Sequence, residues 1–245
     1  IFSIGEPWSA MRLPPGTKER RFKNKTTHKL APGLPSLREW FERSRLPLSE
    51  KQIQQVWQYH SLLRKRNAEY DLTRIYQFVN MVQKHYIDCV LVAKLLEWDL
   101  PSPLLDIGTG AGLPGILLKI ACPETDMVLS EGRHKRITFL HEVVQTLGLK
   151  GIEIYEGKIY PSFSRSVSGV ITRALESIPK TLDRVMKCLV PGGRAIFMKG
   201  PGCNDELEEA LSAFQDKYQL TQDISYTIPY SPHRRRLIVF ERLQG

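Results

Sequence analysis

The segment Asp106-Ile107-Gly108-Thr109-Gly110-Ala111-Gly112-Leu113-Pro114-Gly115 constrains this chain more than any other. It follows the short apolar run Leu104–Ile107, which reads as a buried strand. It precedes a helix that Pro114 opens at its first turn and that runs through Ala121. Glycines at 108, 110 and 112 permit a sharp turn and leave backbone that a ligand can touch, where a Cβ would block the approach. The start of the following helix offers unpaired N–H groups and positive potential to an anion. Strand, glycine turn and helix in this order belong to α/β folds that bind a ligand at the carboxyl end of the first strand.

Glycine spacing alone leaves two ligands open. The dinucleotide fingerprint G-x-G-x-x-G fails when read from Gly108, because Leu113 takes the third position, yet it matches from Gly110 through Gly112 to Gly115. Asp106, two residues before the first glycine, tips the reading toward S-adenosylmethionine, since D-x-G-x-G-x-G is the methyltransferase arrangement. The anion is then the methionyl carboxylate. Glu131 closes the second apolar run, Met127–Ser130, 25 residues after Asp106. An acid at that point accepts hydrogen bonds from the ribose hydroxyls of an adenosine cofactor.

Beyond the glycine turn, strand-like and helix-like segments alternate. Short strands are expected at Ile152–Tyr155, Gly169–Thr172 and Arg194–Met198. Helices are marked by Ile137, Leu140, Val144 and Leu147, and by Ile178, Leu182, Val185 and Leu189. Leu189-Val190-Pro191-Gly192-Gly193 reads as a helix-stop turn before the fifth strand. Ile224, Tyr226 and Ile228 alternate and Leu237–Phe240 runs apolar, which predicts a closing antiparallel pair. The expected fold is a Rossmann-like class I methyltransferase: a mostly parallel seven-stranded sheet with an antiparallel last strand, preceded by an N-terminal helical module. Three regions follow: a basic, Pro-rich arm over 1–48, extended; a helical module over 49–100; and the methyltransferase core over 101–245. Within the module, Ser49 and Gln52 form a capping box. Ile53, Val56, Trp57, His60 and Leu63 mark one helical face, and Ile75, Phe78, Val82, Tyr86, Cys89, Val90 and Ala93 mark a second helix.

Charge points to a polyanion. The first hundred residues hold seventeen Lys/Arg against ten Asp/Glu, so they carry +7 of the net +9. That end would attract nucleic acid, against the plainer reading of a solvated tail. Four cysteines, at 89, 122, 188 and 203, form no C-x-x-C pair, which argues for free thiols and against a zinc site or a disulfide framework. No run of apolar residues reaches the ~18–20 needed to span a bilayer, and no secretory signal pattern shows at the start. A cytoplasmic protein is expected.

From Gln52 to Arg242 the chain resembles the RsmG (GidB) family of bacterial guanine-N7 methyltransferases of small-subunit ribosomal RNA. The residues that carry the likeness are Asn67-x-x-Tyr70-Asp71-Leu72-Thr73, His85-x-x-Asp88, the glycine segment through Leu113-Pro114-Gly115, Lys135-Arg136-x-x-Phe139-Leu140, Thr172-Arg173-Ala174, Lys199-Gly200 and Arg235. Asp71 and Cys89 stand where the family commonly has Asn and Ser, and Gly157-Lys158-Ile159-Tyr160 replaces its usual arginine and acid. The resemblance implies that Asp106, Gly108, Gly110, Gly112, Leu113, Glu131, Ile159, Tyr160 and Arg173 hold S-adenosylmethionine, with the backbone at 159–160 at the adenine. It implies a substrate that is ribosomal RNA or a small-subunit particle, and it supports Arg235 as a contact to that substrate. Lys199, after the fifth strand at the edge where open α/β sheets bind ligands, and His85 and Asp88, on one helix face, are further substrate candidates, with a monomeric enzyme favoured.

Guanine N7 offers an in-plane lone pair and loses no proton on methylation, so no catalytic acid, base, nucleophile or metal is expected. Positioning carries the rate. Thr172-Arg173-Ala174-Leu175 replaces the Asn/Asp-Pro-Pro-aromatic turn that amino-methylating enzymes show after the fourth strand. Two alternatives are a methyltransferase acting on a protein or small molecule, and a non-catalytic RNA-binding module. If the arm over 1–48 grips phosphate, its deletion weakens RNA binding and flattens the salt dependence by about 0.7–0.9 in log–log slope per lost contact. RNA titrations at stepped salt measure this, and identical slopes exclude the arm from the RNA site.

Overall fold

The computed structural model describes residues 32–244, which form one compact unit. Most of the basic arm therefore lies outside the described residues, but its last part does not. Leu34–Arg43 is a helix, α1, and it buries Leu37 and Phe41, while Leu46 just beyond it is buried in the same core. The expected arm thus ends earlier than residue 48. Pro35, read in the sequence as a mark of extended chain, sits in the first turn of α1, where a missing N–H costs nothing and a fixed φ favours the helix. A truncation that tests RNA grip must accordingly extend no further than Ala31, since a cut at 48 would remove Leu37, Phe41 and Leu46 from the core.

Helix α2 (Glu50–Tyr70) begins at the expected capping box. Ser49 Oγ accepts from the Gln52 N–H, and Gln52 Oε1 accepts from the Ser49 N–H at 2.7 Å. Gln52 does more than cap, because its amide donates to the carbonyls of Ile120 and Ala121 at 2.8 and 3.1 Å. Those are carbonyls at the C-terminus of α5 (Gly115–Ala121), which have no partner within their own helix. Residues 78–95 then form one continuous helix in three stretches: α3 (Phe78–Met81), a π-helical turn over Val82–Ile87, and α4 (Asp88–Leu95).

The sheet has seven strands: β1 (Leu104–Ile107), β2 (Met127–Glu131), β3 (Ile152–Glu156), β4 (Val167–Arg173), β5 (Leu189–Lys199), β6 (Tyr218–Thr227) and β7 (Arg234–Arg242). Their order is β3-β2-β1-β4-β5-β7-β6, with β1 to β5 parallel and β7 antiparallel to both neighbours. Strand order reverses between β1 and β4, and that switch point leaves a crevice at the carboxyl ends where no connection covers the sheet. The Pro191-Gly192-Gly193 turn falls inside β5, as an irregularity in its pairing with β4.

Because neighbouring strand residues face opposite ways, Leu104 and Leu105 serve two different cores. Leu104, Leu129, Ile171 and Ile196 pack beneath α2, α4, α5 and α6 (His134–Leu147). Leu105, Val128, Val170 and Phe197 pack beneath α7 (Ile178–Val185) and α8 (Asn204–Ala213). The helical module expected over 49–100 is therefore one layer of the same core and closes the first face of the sheet. Loss of the Gln52 side chain removes three hydrogen bonds and should destabilise the protein by about 1–3 kcal/mol. Ser49→Ala should cost about 0.5–2 kcal/mol through the cap alone. Urea denaturation of Gln52→Ala beside Ser49→Ala tests this, and a smaller loss for Gln52→Ala would contradict the bridging role.

Candidate active site

At the carboxyl ends of the first three strands lies a cavity of about 350 Å³, within the range that holds small cofactors. Ile107 and Gly108 line it from β1, Ser130 and Glu131 from β2, and Gly157, Lys158 and Ile159 from the turn after β3. Leu175, Glu176 and Arg184 close the side toward β4, while Arg133 and Arg136 bring positive charge. Three of the expected cofactor residues, Gly108, Glu131 and Ile159, thus share one wall. Tyr160 lies in the adjoining cleft beside Lys158 and is 56% exposed.

The glycine loop is shaped by two buried acids. Asp106 Oδ2 accepts from the Thr109 hydroxyl at 2.6 Å and from the Gly115 N–H at 2.8 Å. Burial pushes its carboxyl up to about 6, against those two hydrogen bonds. The N–H of Gly115, expected to face an anion, is consequently spent on Asp106. Gly115 itself is required by close approach, since a Cβ there would lie 2.3 Å from Leu129 Cδ2. Glu131 Oε2 accepts from the Gly110 N–H at 3.0 Å, and its Oε1 accepts from the Gly132 and Arg133 N–H groups, each at 2.9 Å. Gly110 reaches that acid with φ +62, a conformation side chains disfavour. Gly112 and Leu113 face the helical layer, Gly112 against Ile116 and Leu140, and do not line the cavity.

Beside the cavity, at the end of β4, the structure gathers four other expected residues. Arg173 donates to His85 Nδ1 and to the Lys84 carbonyl, both at 2.9 Å, and to Cys89 Sγ at 3.3 Å. A guanidinium only donates, so His85 Nδ1 must accept and the ring proton sits on Nε2, 3.0 Å from Thr73 Oγ1. Burial, and then the Arg173 charge, lower the His85 imidazole to about 3, so the ring is neutral. Burial pushes the Cys89 thiol up to about 12, so it too stays uncharged. Asp88 is buried, accepting from the Tyr226 hydroxyl at 3.0 Å and from Arg235 Nε at 3.4 Å. The π turn carries His85 and the Lys84 carbonyl to Arg173, a placement periodicity cannot foresee.

Lys199 stands apart from that group. Its Nζ donates to the Glu176 carbonyl at 2.7 Å and to Glu206 Oε2 at 2.8 Å, so it is engaged within the protein. Glu176, Arg184 and Tyr226 were missed in the sequence. Only Tyr226 carried a signal, its place in an alternating strand, and that signal speaks of burial alone.

A family model described as GidB, rRNA small subunit methyltransferase G, matches residues 52–238, well over half of the chain. The chain belongs to the GidB family. It is 49% identical over 213 residues to ribosomal RNA small subunit methyltransferase G 2 of Syntrophobacter fumaroxidans, covering 87% of this chain but only 42% of that longer protein. It is 40% identical over 198 residues to the protein of the same name from Bdellovibrio bacteriovorus, covering 81% of this chain and 77% of that one. Among solved structures, a putative class I S-adenosylmethionine-dependent methyltransferase from Listeria monocytogenes superposes with TM-score 0.58 at 14% identity, covering 79% of this chain and 69% of that one. That likeness establishes the class I fold.

The GidB motif around Asn67 has a plain structural basis. Asn67 Oδ1 accepts from the Leu72 and Thr73 N–H groups and its Nδ2 donates to the Thr73 carbonyl, which clamps the loop carrying Thr73 to His85. Asp71, the departure from the family's usual Asn, ends α2 in the left-handed region at φ 49, which both residue types adopt readily.

The neutral histidines make stability depend on pH. His60, lowered to about 4 by burial, and His85, lowered to about 3, are protonated in the unfolded chain before they are in the folded one. Their contribution is whole above about pH 6.5 and is lost as pH falls toward 3. Asp106, raised to about 6, works the other way and loses its contribution as pH rises through that value. Removing one histidine isolates its share: His85→Gln should flatten the fall in stability between pH 6.5 and 4. Urea denaturation at stepped pH measures the slope, and an unchanged slope would mean that His85 is not held neutral.

Proposed function

We propose that this chain transfers a methyl group from S-adenosylmethionine to N7 of a guanine in small-subunit (16S) ribosomal RNA. The observation that carries the reading is that Gly108, Glu131 and Ile159, from the carboxyl ends of three neighbouring strands, line one cavity in a GidB-family chain. The residues fit the cofactor. A carboxylate has about four acceptor sites, and Glu131 uses three on backbone N–H groups, so it keeps capacity for a ribose hydroxyl. Arg136 Nη1 lies 3.7 Å away, beyond hydrogen-bond distance, and leaves that capacity free. Gly108 gives the sulfonium end close access to backbone, and Ile159 offers an apolar wall to the base.

When bound, S-adenosylmethionine supplies the methyl group on its sulfonium sulfur. The protein's part is to hold the guanine N7 lone pair in line with it, which in ideal cases is worth up to ~7–11 kcal/mol. Neutral His85 and the thiol of Cys89 fix the Arg173 guanidinium without offering a base, and N7 needs none because it loses no proton. Arg173, with Arg235 and Asp88 near it, is suited to orient a purine and its phosphate at the end of β4. The proposed enzyme is cytoplasmic, and its substrate is RNA or a small-subunit particle, in keeping with its GidB membership.

Incubation with tritiated S-adenosylmethionine and small-subunit particles from a deletion strain should place label in ribosomal RNA at guanine N7. Label confined to protein or small molecules would overturn the substrate. Glu131→Ala should weaken S-adenosylmethionine binding by about 1–3 kcal/mol, since it removes a charge-assisted acceptor and releases Gly110. Calorimetry reads this directly, and an unchanged dissociation constant would mean that another group holds the ribose.

A further inference from the structure

The Ile159 carbonyl, at the cavity wall, is held by a side chain outside the motifs. Arg184 on α7 donates from Nη1 to that carbonyl at 2.6 Å. Glu176 grips the same guanidinium in a fork, with Nε to Oε1 at 2.8 Å and Nη2 to Oε2 at 2.7 Å. Thr181 Oγ1 adds a 3.3 Å bond to Glu176 Oε1. Glu176 is fixed in turn through its backbone, because Lys199 donates to its carbonyl at 2.7 Å. Lys199 also binds Glu206 Oε2, which accepts the Ile178 N–H at 2.8 Å. The end of β5, α7 and α8 therefore brace one carbonyl oxygen.

We propose that Arg184 is a positioning residue that fixes the Ile159–Tyr160 peptide for recognition of adenine. The proposal rests on the cofactor reading above. With the ribose at Glu131, at the end of β2, the base lies toward the turn after β3, where Ile159 is 1% exposed and lines the cavity. A trans peptide is planar, so its C=O and N–H point in opposite directions. Pinning the Ile159 oxygen therefore sets where the Tyr160 N–H points. A fixed N–H donor suits N1 of adenine, which is an acceptor, and opposes hypoxanthine, whose N1 carries a proton. The fork is what makes the direction firm, because a guanidinium held at one atom could swing and carry the peptide with it.

Calorimetric titration with S-adenosylhomocysteine and with S-inosylhomocysteine, which differ only in the base, tests the proposal. The wild-type chain should prefer the adenine ligand. Arg184→Gln should bind it about tenfold more weakly and lose most of that preference. Arg184→Lys keeps one donor without the fork and should recover part of both. In turnover, Arg184→Gln should raise KM for S-adenosylmethionine and leave kcat at saturating cofactor unchanged. Glu176→Gln leaves Arg184 in place and loosens its grip, so it should fall between wild type and Arg184→Gln, and it keeps the question open to measurement should Arg184→Gln fail to fold. A folded Arg184→Gln chain that retains the full preference overturns the proposal, as does equal weakening toward both ligands, which marks a merely structural role. A wild-type chain that binds neither ligand overturns the cofactor reading itself.

Discussion

Taking the Arg173 guanidinium partly out of water at the carboxyl end of β4 imposes a condition on everything packed against it. The group cannot lose its charge, and each N–H taken from water needs an acceptor. The protein meets the condition with His85, the Lys84 carbonyl and Cys89, all from the one helix that crosses that strand end. The helix must arrive at the right height and rotation, and the π turn over Val82–Ile87 provides both. The remaining features follow. His85 must stay neutral to accept, Thr73 must take its other proton, and the loop carrying Thr73 must be clamped by Asn67. A cation at one strand end thus accounts for a helix, a loop and the protonation state of a buried ring.

The sheet was legible because strands buried on both faces read as short apolar runs separated by turns. The glycine segment was legible because few residues can make its turn. The cap at Ser49 was legible for a similar reason, since Ser and Gln three apart before an apolar face have a specific local job. Helix α1 was not, because Pro35 and the surrounding basic residues look the same in a tail as in a first helical turn. What decides between those readings is the burial of Leu37 and Phe41 against partners far along the chain.

The site divides along the same line. Glu131 was legible because strand ends are, but its second task, holding the Gly110 N–H, depends on a loop 21 residues away folding back. Lys199 was expected to meet the substrate because it stands at a ligand-binding strand end; instead two acids close by, Glu176 through its carbonyl and Glu206 through its carboxylate, hold it. Arg184 carries no local mark, since an arginine on a helix face most often meets solvent. Its role exists only where α7 passes the turn after β3, a proximity set by the tertiary fold.

The Gln52 side chain joins residues 68 and 69 positions apart, and each helix it joins leaves polar groups unmet without the other. Helix α2 thus cannot reach its final state until the first strand–turn–helix unit of the sheet has formed behind it. A chain emerging from synthesis would hold α2 in waiting, as a helix that cannot dock until the residues near 120 have appeared. Any grafting of these helices onto another sheet would have to carry the end of α5 with them.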